Sequence, residues 1–217
     1  MRFGKIKITP IVIFTLFLLS SCLGISAEIR LNNNGSGTID LQYQVSKSLD
    51  SLGRLDGNER WHTIPLGRAD FERTLERLPD LKLLSFSSTE DERNINFSVR
   101  MEFSSIQGLM AFLDAGGNRS RFTGDHRSGS IFLTLSEGRG EISPNLDSLL
   151  SGISQGYNVR LGMRFPGEGT LNISDLEGAP VDSGFDIVRQ GRRVSASIPL
   201  YDILSAEKGI NLEFSWP

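Results

Sequence analysis

Cysteine and histidine are almost missing from this chain of 217 residues. Cys22 is the only cysteine, so no disulfide can form within the chain and no Cys-x-x-Cys zinc motif exists. The two histidines, His62 and His126, are too far apart in the sequence to form a His-x-x-x-His metal motif. The fold must therefore be stabilised by its hydrophobic core, without help from a disulfide or a cysteine-bound metal.

The histidines give little support to a catalytic role. His62 lies in the irregular stretch "NERWHTIPLG" and is expected to be a buried or rim residue, whereas His126 lies in "GDHRSG", which is typical of an exposed hairpin turn. A Ser-His-Asp arrangement is arithmetically possible, but the G-x-S-x-G motif that presents a nucleophilic serine is absent.

Phosphate-binding and metal-binding motifs are absent as well. No G-x-x-x-x-G-K-[ST] or G-x-G-x-x-G loop occurs, and no EF-hand pattern occurs. The consecutive acidic residues of "STEDER" point in different directions on an extended chain, which favours a solvated turn over a calcium site. We therefore predict a protein without enzymatic activity, metal or cofactor. An unrecognised hydrolase that uses a pair among the 26 acidic residues stays open as an alternative.

The N-terminal segment has the features of an export signal. Arg2, Lys5 and Lys7 precede an apolar run over residues 11–19, which is shorter than the roughly 20 residues that a membrane-spanning helix needs. Cleavage by an ordinary signal peptidase within "SCLGISA" is one interpretation. The stretch Leu19-Ser20-Ser21-Cys22 instead resembles the lipobox of bacterial lipoproteins.

The lipobox resemblance implies a specific role for Cys22. It implies a diacylglycerol on the Cys22 sulfur, cleavage before Cys22, and a third acyl chain, commonly palmitate, on the new amino terminus. Two or three chains anchor a protein far more firmly than one, because each buried methylene contributes about 0.8 kcal/mol. The expected location is the cell membrane or the outer membrane, with the protein exported and lipid-anchored. Leu23-Gly24 lack the aspartate that retains many lipoproteins in an inner membrane, which mildly favours the outer membrane where two membranes exist.

Loss of the signal peptide changes the charge of the chain. Residues 1–21 contain three basic residues and no acidic ones, so the mature chain has 20 basic and 26 acidic residues. An acidic protein is a poor match for nucleic acid, which requires a basic face. The predicted partners are the membrane, reached through the anchor, and an apolar ligand, and not nucleic acid.

The remaining sequence predicts an α+β fold. Strict alternation of apolar and polar residues indicates half-buried antiparallel strands. Strands are predicted over residues 39–45, 95–103, 159–165, 194–198 and 210–216, and weaker ones over 82–88, 130–136, 169–173 and 185–188. Helical spacing of apolar residues occurs over 69–78, 106–113 and 144–153, with short turns at 46–52 and 200–205.

Strands outnumber helices and do not alternate with them one for one. We therefore predict a largely antiparallel curved sheet with a few helices packed on one face, in a single domain. The boundaries are residues 1–21 for the signal peptide, 22–25 for the anchor and a short linker, and 26–217 for the domain.

Two glycine-containing motifs resemble those of the LppM-domain family of bacterial envelope proteins. Gly35-Ser36-Gly37 opens the first alternating strand, and Phe165-Pro166-Gly167 ends a later strand before the closing ones. The resemblance implies a curved sheet with helices, similar to carriers of hydrophobic ligands, and no established enzymatic activity. Family members often have a C-terminal transmembrane helix, and no apolar run of that length precedes Pro217.

Two functions are compatible with these observations. The first is an envelope lipoprotein that binds a lipid or another hydrophobic ligand between the sheet and its helices. The second is a structural or interaction lipoprotein with a packed interior that acts in envelope assembly or host contact. For the first, the residues expected to line the cavity are Phe97, Met101, Phe103, Leu109, Met110, Leu113, Met163 and Phe165. For each of them taken singly, an ordinary core position is the more common explanation.

Overall fold

The computed structural model describes residues 23–47, 67–92, 94–114, 119–140, 143–181 and 184–217. Within these residues the chain forms eleven strands and four helices. The strands are β1 (Leu23–Leu31), β2 (Gly37–Ser46), β3 (Leu81–Glu90), β4 (Asn94–Phe103), β5 (Ser120–Gly124), β6 (Gly129–Ser136), β7 (Asn158–Arg164), β8 (Thr170–Ser174), β9 (Asp186–Gln190), β10 (Arg193–Pro199) and β11 (Ile210–Trp216). The helices are α1 (Arg68–Leu75), α2 (Ile106–Leu113), α3 (Pro144–Ser154) and α4 (Leu200–Ser205).

The strands form two sheets. The large sheet has seven strands in the order β3-β4-β2-β1-β7-β10-β9, and the small sheet has four in the order β5-β6-β11-β8. All pairings are antiparallel except β1 with β7, which is parallel. The predicted α+β class and the single domain are confirmed, with the strands divided between two sheets where the sequence predicted one.

The strand β1 is already formed at Leu23, the first described residue. Its first residue, Leu23, pairs with Asn158 of β7, and Ile25 pairs with Tyr43 of β2. Residues 23–25, which the sequence placed in a linker, are therefore part of the central strand of the large sheet. The reason is that β1 pairs on both sides with strands distant in sequence. The local residues, which include Gly24 and Ser26, do not predict a strand here.

Capping serines and prolines determine where several of the helices begin and end. Ser105 caps α2 by accepting a hydrogen bond from the backbone N–H of Gly108, and Ser143 caps α3 by accepting one from Leu146, with Pro144 in the first turn. The predicted helix over 69–78 is shorter in the structure, where α1 ends at Leu75, ahead of Pro79. Most of the short turn predicted at 46–52 lies outside the described residues.

One continuous core fills the space between these elements. Buried side chains from both sheets and from α1, α2 and α4 belong to a single apolar cluster. Along β10, and along β4 from Phe97 onward, burial alternates with sequence position, as expected for strands with one face in the core. The opposite face of the large sheet is polar and partly exposed to solvent.

Candidate functional site

The eight residues predicted to line a ligand cavity lie within this core or at its margin. Six are at most 4% exposed: Phe97, Met101, Phe103, Leu109, Met163 and Phe165. Met110 and Leu113 on α2 are half-buried and pack against the same cluster. The structure thus brings the predicted residues together.

The strand register shows that other core side chains lie between the predicted residues Met101 and Met163. Met101 on β4 and Met163 on β7 lie in one row of the inward face, with Ile39 and Ile29 between them. Three strand spacings of about 4.8 Å place the two methionines about 14 Å apart. Since both intervening isoleucines are buried, this row is an uninterrupted layer of core side chains.

The inward face ends in a stack of three aromatic rings. The indole of Trp216 lies between Phe165 and Phe122, with ring centroids 5.1 and 6.0 Å away. Its Nε1 is buried and has no hydrogen-bond partner within the described residues. The stack connects the end of β7 to the small sheet.

A second aromatic cluster lies at the opposite end of the large sheet. Tyr43 stacks on Phe97 at 4.8 Å, and Phe71 of α1 and Phe86 of β3 pack at tilted angles around them. Burial raises the pKa of Tyr43 far above its ordinary value, and the nearby carboxylate of Asp70 raises it further. The Tyr43 phenol is therefore neutral throughout the physiological range.

A shallow groove of about 180 Å³ lies on the outer face of the large sheet, across the strands from this aromatic cluster. Apart from Tyr43 and Phe97, its lining is polar and uncharged: Gln42, Gln44, Ser87, Thr89, Asn96 and Ser98. Of the eight predicted lining residues, Phe97 alone borders this groove.

A larger cleft of about 410 Å³ opens where α4 and the start of β11 meet the connection between β8 and β9. It is lined by Asp175, Pro180, Val181, Phe185, Asp202, Ser205, Ala206, Glu207, Lys208, Gly209 and Ile210. None of the eight predicted residues belongs to it. The sequence stretch "SDLEGAP" indicates a turn here, but it contains no sign that the turn would form the wall of a cleft.

The cleft combines an apolar lining with carboxylates. Asp175 is buried, and its carboxylate accepts hydrogen bonds from the backbone N–H groups of Glu177 and Ala179, which holds the turn in place. Lys208 forms an ion pair with Glu177 at 2.9 Å. Partial burial raises the pKa of Asp202. This arrangement suits an amphipathic molecule better than a fully apolar one.

The polar outer face of the large sheet carries an ion pair that spans a strand. The guanidinium of Arg193 on β10 donates two hydrogen bonds, of 2.8 and 2.9 Å, to the carboxylate of Glu28 on β1. The strand between them, β7, has Gly162 at this position, and a Cβ there would lie 2.1 Å from Glu28 Oε2. The missing side chain of Gly162 is what leaves room for the pair.

Of the single cysteine and the two histidines, only His126 lies within the described residues. Cys22 and His62 lie outside the described residues. His126 lies in the turn between β5 and β6, where Asp125 accepts hydrogen bonds from the backbone of Arg127 and Ser128, so the predicted exposed turn is confirmed. Among the described residues, no group of three or more His, Cys, Asp or Glu side chains could hold a metal ion. No helix within the same residues is long and apolar enough to span a membrane.

The chain has a structural likeness to a solved protein domain, but no match by sequence. No protein-family model matches the chain, and no curated protein matches its sequence. Among solved structures, the chain is similar to the folded domain of the Mycobacterium tuberculosis LppM protein, determined by NMR, with a TM-score of 0.46 and 9% sequence identity. The likeness covers 89% of this chain and 88% of that domain. A likeness of this degree carries no argument about function, and the fold described above rests on this chain's own strands and helices.

Proposed function

We propose that this chain is a lipid-anchored protein of the bacterial cell envelope, whose folded domain is a binding module without catalytic activity. The observation that carries the proposal is the position of β1. Its first residue is Leu23, so cleavage before Cys22 leaves every described strand and helix intact. An acylated Cys22 would then attach the membrane directly to the central strand of the large sheet.

The cleavage position separates this proposal from ordinary secretion. Ordinary signal peptidase cleavage after Ser26, with Gly24 and Ser26 as the small residues, would remove residues 23–26 of β1, together with the pairing of Leu23 with Asn158. Lipoprotein processing removes none of them. The structure of β1 therefore favours Cys22 as the first residue of the mature protein.

The test is acylation of the full chain in a bacterial host. Cells are grown with an alkyne analogue of palmitate, and the wild type is compared with Cys22→Ser and with the control Ser21→Ala, which keeps a small residue before the cysteine. We expect label and membrane partitioning in the wild type and in Ser21→Ala, and neither in Cys22→Ser. Mass spectrometry of the mature amino terminus should begin at an acylated Cys22. Label retained in Cys22→Ser, or an unmodified terminus further along the chain, would reject the anchor.

The packed interior favours binding at the surface of the domain. Six of the eight predicted lining residues are core residues, and the row from Met101 to Met163 is continuous. We therefore favour an interaction lipoprotein, acting in envelope assembly or host contact, over one that stores a lipid in its centre. Binding partners would be recognised by its exterior faces and clefts.

A lipid or other hydrophobic ligand is the second candidate, and the cleft beside α4 supports it. Its volume of about 410 Å³ lies within the range of small-molecule sites, and Val181, Phe185 and Ile210 give it apolar lining. The carboxylates of Asp202 and Glu207 would face the polar end of such a ligand.

Native mass spectrometry of the full chain, released from nonionic detergent, tests this second candidate. Ala206→Trp places a large ring in the cleft, whereas Met101→Trp and Met163→Trp place a larger side chain in the interior of the domain. A bound lipid lost only from Ala206→Trp supports the cleft, and one lost only from the folded methionine variants supports the interior. If no sample contains a bound lipid, the ligand-binding hypothesis is rejected and the interaction lipoprotein is the function that remains. Circular dichroism of each variant controls for folding.

A further inference from the structure

Three arginines lie side by side on the outer face of the large sheet. Arg164 on β7 is the cross-strand partner of Arg30 on β1 and of Arg193 on β10. Cross-strand partners project from the same face, with their Cβ atoms roughly 5 Å apart. The row Arg30-Arg164-Arg193, called the arginine row below, therefore places three positive charges on three adjacent strands.

The two outer arginines of the row have acidic partners. Arg193 binds Glu28 through two hydrogen bonds, and Arg30 lies 3.8 Å from Asp40. Asp40 is shared, because Arg100 on β4 lies 3.4 Å from its other oxygen. Glu28 and Asp40 lie in the adjacent cross-strand row of the same face, two residues along their strands from the arginine row. Neither carboxylate therefore lies between two arginines of the row.

Arg164 has no acidic partner within the described residues, and its side chain is exposed. Like charges placed directly opposite each other in a sheet destabilise it. The three arginines of the row and their two carboxylates leave an excess of one positive charge, and one of these carboxylates is shared with Arg100. The next acidic residue in the row, Glu102, lies two strands away from Arg30 and has Lys82 as its own cross-strand partner.

We propose that the arginine row binds a phosphate group, with Arg164 and Arg30 donating hydrogen bonds to its oxygens. The planar guanidinium matches phosphate in a two-pronged geometry. A phosphate group offsets this excess and offers three acceptor oxygens that two guanidinium groups can share, whereas a carboxylate offers only two. Among the described residues, the strand neighbours of the row are Thr38 and Gln190, neither of them aromatic, so the row gives a neutral sugar or an apolar protein partner no ring to stack on.

The phosphate could come from a soluble molecule or from a phospholipid headgroup, and the experiment separates the two. The full chain in nonionic detergent is titrated with inorganic pyrophosphate, and binding is measured by calorimetry at low and physiological salt. A second measurement adds the protein to phosphatidylcholine vesicles with or without phosphatidic acid. This proposal does not depend on acylation of Cys22, because the arginine row lies at the opposite end of β1.

The matched control for Arg164→Gln is Arg160→Gln. Arg160 lies on the same strand and the same face, but its cross-strand partners are Ser26 and Ser197, so no second arginine is opposite it. We expect saturable pyrophosphate binding that Arg164→Gln weakens about tenfold, corresponding to the loss of one charge-assisted hydrogen bond. Arg160→Gln should change the affinity by less than twofold.

Each outcome decides the proposal. Binding of pyrophosphate without recruitment to phosphatidic acid vesicles supports a soluble phosphate, and recruitment that depends on Arg164 supports a lipid headgroup. No saturable binding to either probe overturns the site. Equal losses in Arg164→Gln and Arg160→Gln also overturn it, because they indicate attraction by overall charge. Unchanged circular dichroism and melting curves identify variants that remain folded.

Discussion

At the scale of single residues, Gly37 shows how a missing side chain positions two strands. A Cβ at this position would lie 1.9 Å from the carbonyl oxygen of Arg30 and 2.4 Å from Cζ of Phe103. The first of these atoms is backbone and cannot move aside without displacing β1. The glycine of the Gly35-Ser36-Gly37 motif is thus explained by close packing at the β1–β2 connection.

We expect Gly37→Ala to lower the free energy of unfolding by about 2–3 kcal/mol, through overpacking and displacement of β1. Urea denaturation measures the change. The control is Gly152→Ala in α3, where a Cβ meets no atom within 4 Å. This control should stabilise the protein by about 0.5–1 kcal/mol, because alanine favours a helix. Equal effects of the two substitutions would contradict the packing explanation.

Tyr43 gives a prediction that depends on pH. Its pKa is raised in the folded protein, so the folded state keeps the phenol proton after the unfolded state has lost it. Stability is therefore unaffected by this group below pH 10 and falls as the pH rises above 10, by up to about 1.4 kcal/mol per pH unit. Tyr43→Phe should remove this part of the slope. Urea denaturation at several pH values between 9 and 11 measures it, and identical slopes for both proteins would show that Tyr43 ionises normally.

At the scale of elements, the sheet and the helix contribute differently to the predicted lining. Met101 on β4 is fully buried, whereas Met110 on α2 is only half-buried. We expect Met101→Ala to cost about 2–4 kcal/mol, because a packed core leaves a cavity behind. Met110→Ala should cost less than about 1 kcal/mol. Urea denaturation compares the two, and a small cost at Met101 would indicate space in the interior that the packed arrangement excludes.

Local patterns predicted most elements correctly. The alternation in β4 and β7 and the spacing of Ile106, Leu109 and Leu113 in α2 follow from which face of each element is buried. The pattern did not predict β1 from Leu23, because that strand owes its position to partners on both sides. Periodicity identifies a strand, but it does not identify the neighbouring strand. The division into two sheets was for that reason not predictable.

The candidate sites show the same limit. The predicted lining residues are apolar and lie together. The sequence pattern of apolar residues is the same, however, whether those residues fill a core or surround a ligand. The cleft beside α4 and the arginine row both depend on residues distant in sequence, such as Arg30 and Arg164. Their arrangement follows from strand register, which a single sequence does not specify.

At the scale of the whole molecule, the proposed anchor at Cys22 implies an orientation. The β1 strand of nine residues spans about 30 Å, so its two ends lie at different heights above a membrane if the sheet stands upright. Gln155, at the end of α3, lies close to the start of β1, because β7 begins at Asn158 beside Leu23. Asn33 lies in the turn at the other end of β1.

We expect a fluorophore on Gln155→Cys to be quenched strongly by spin-labelled lipids, and one on Asn33→Cys to be quenched weakly. Each variant has one labelling site, since Cys22 is the only native cysteine and would be acylated. Quenching in reconstituted bilayers measures the difference. Equal quenching at both positions would show that the sheet lies flat on the membrane, and the reverse order would contradict attachment through β1.

The parallel pairing of β1 with β7 also determines the order in which the molecule can fold. β2, the first antiparallel partner of β1, follows it directly in the sequence, but β7 is synthesised only after α3. Closing so long a loop is slow, and contacts between distant residues form late. Until β7 arrives, one edge of β1 is an unpaired strand edge, which is prone to pairing with other chains. The second edge of β1 can therefore be paired only when three quarters of the chain has been made, and the large sheet is completed later still, after β9 and β10 have followed.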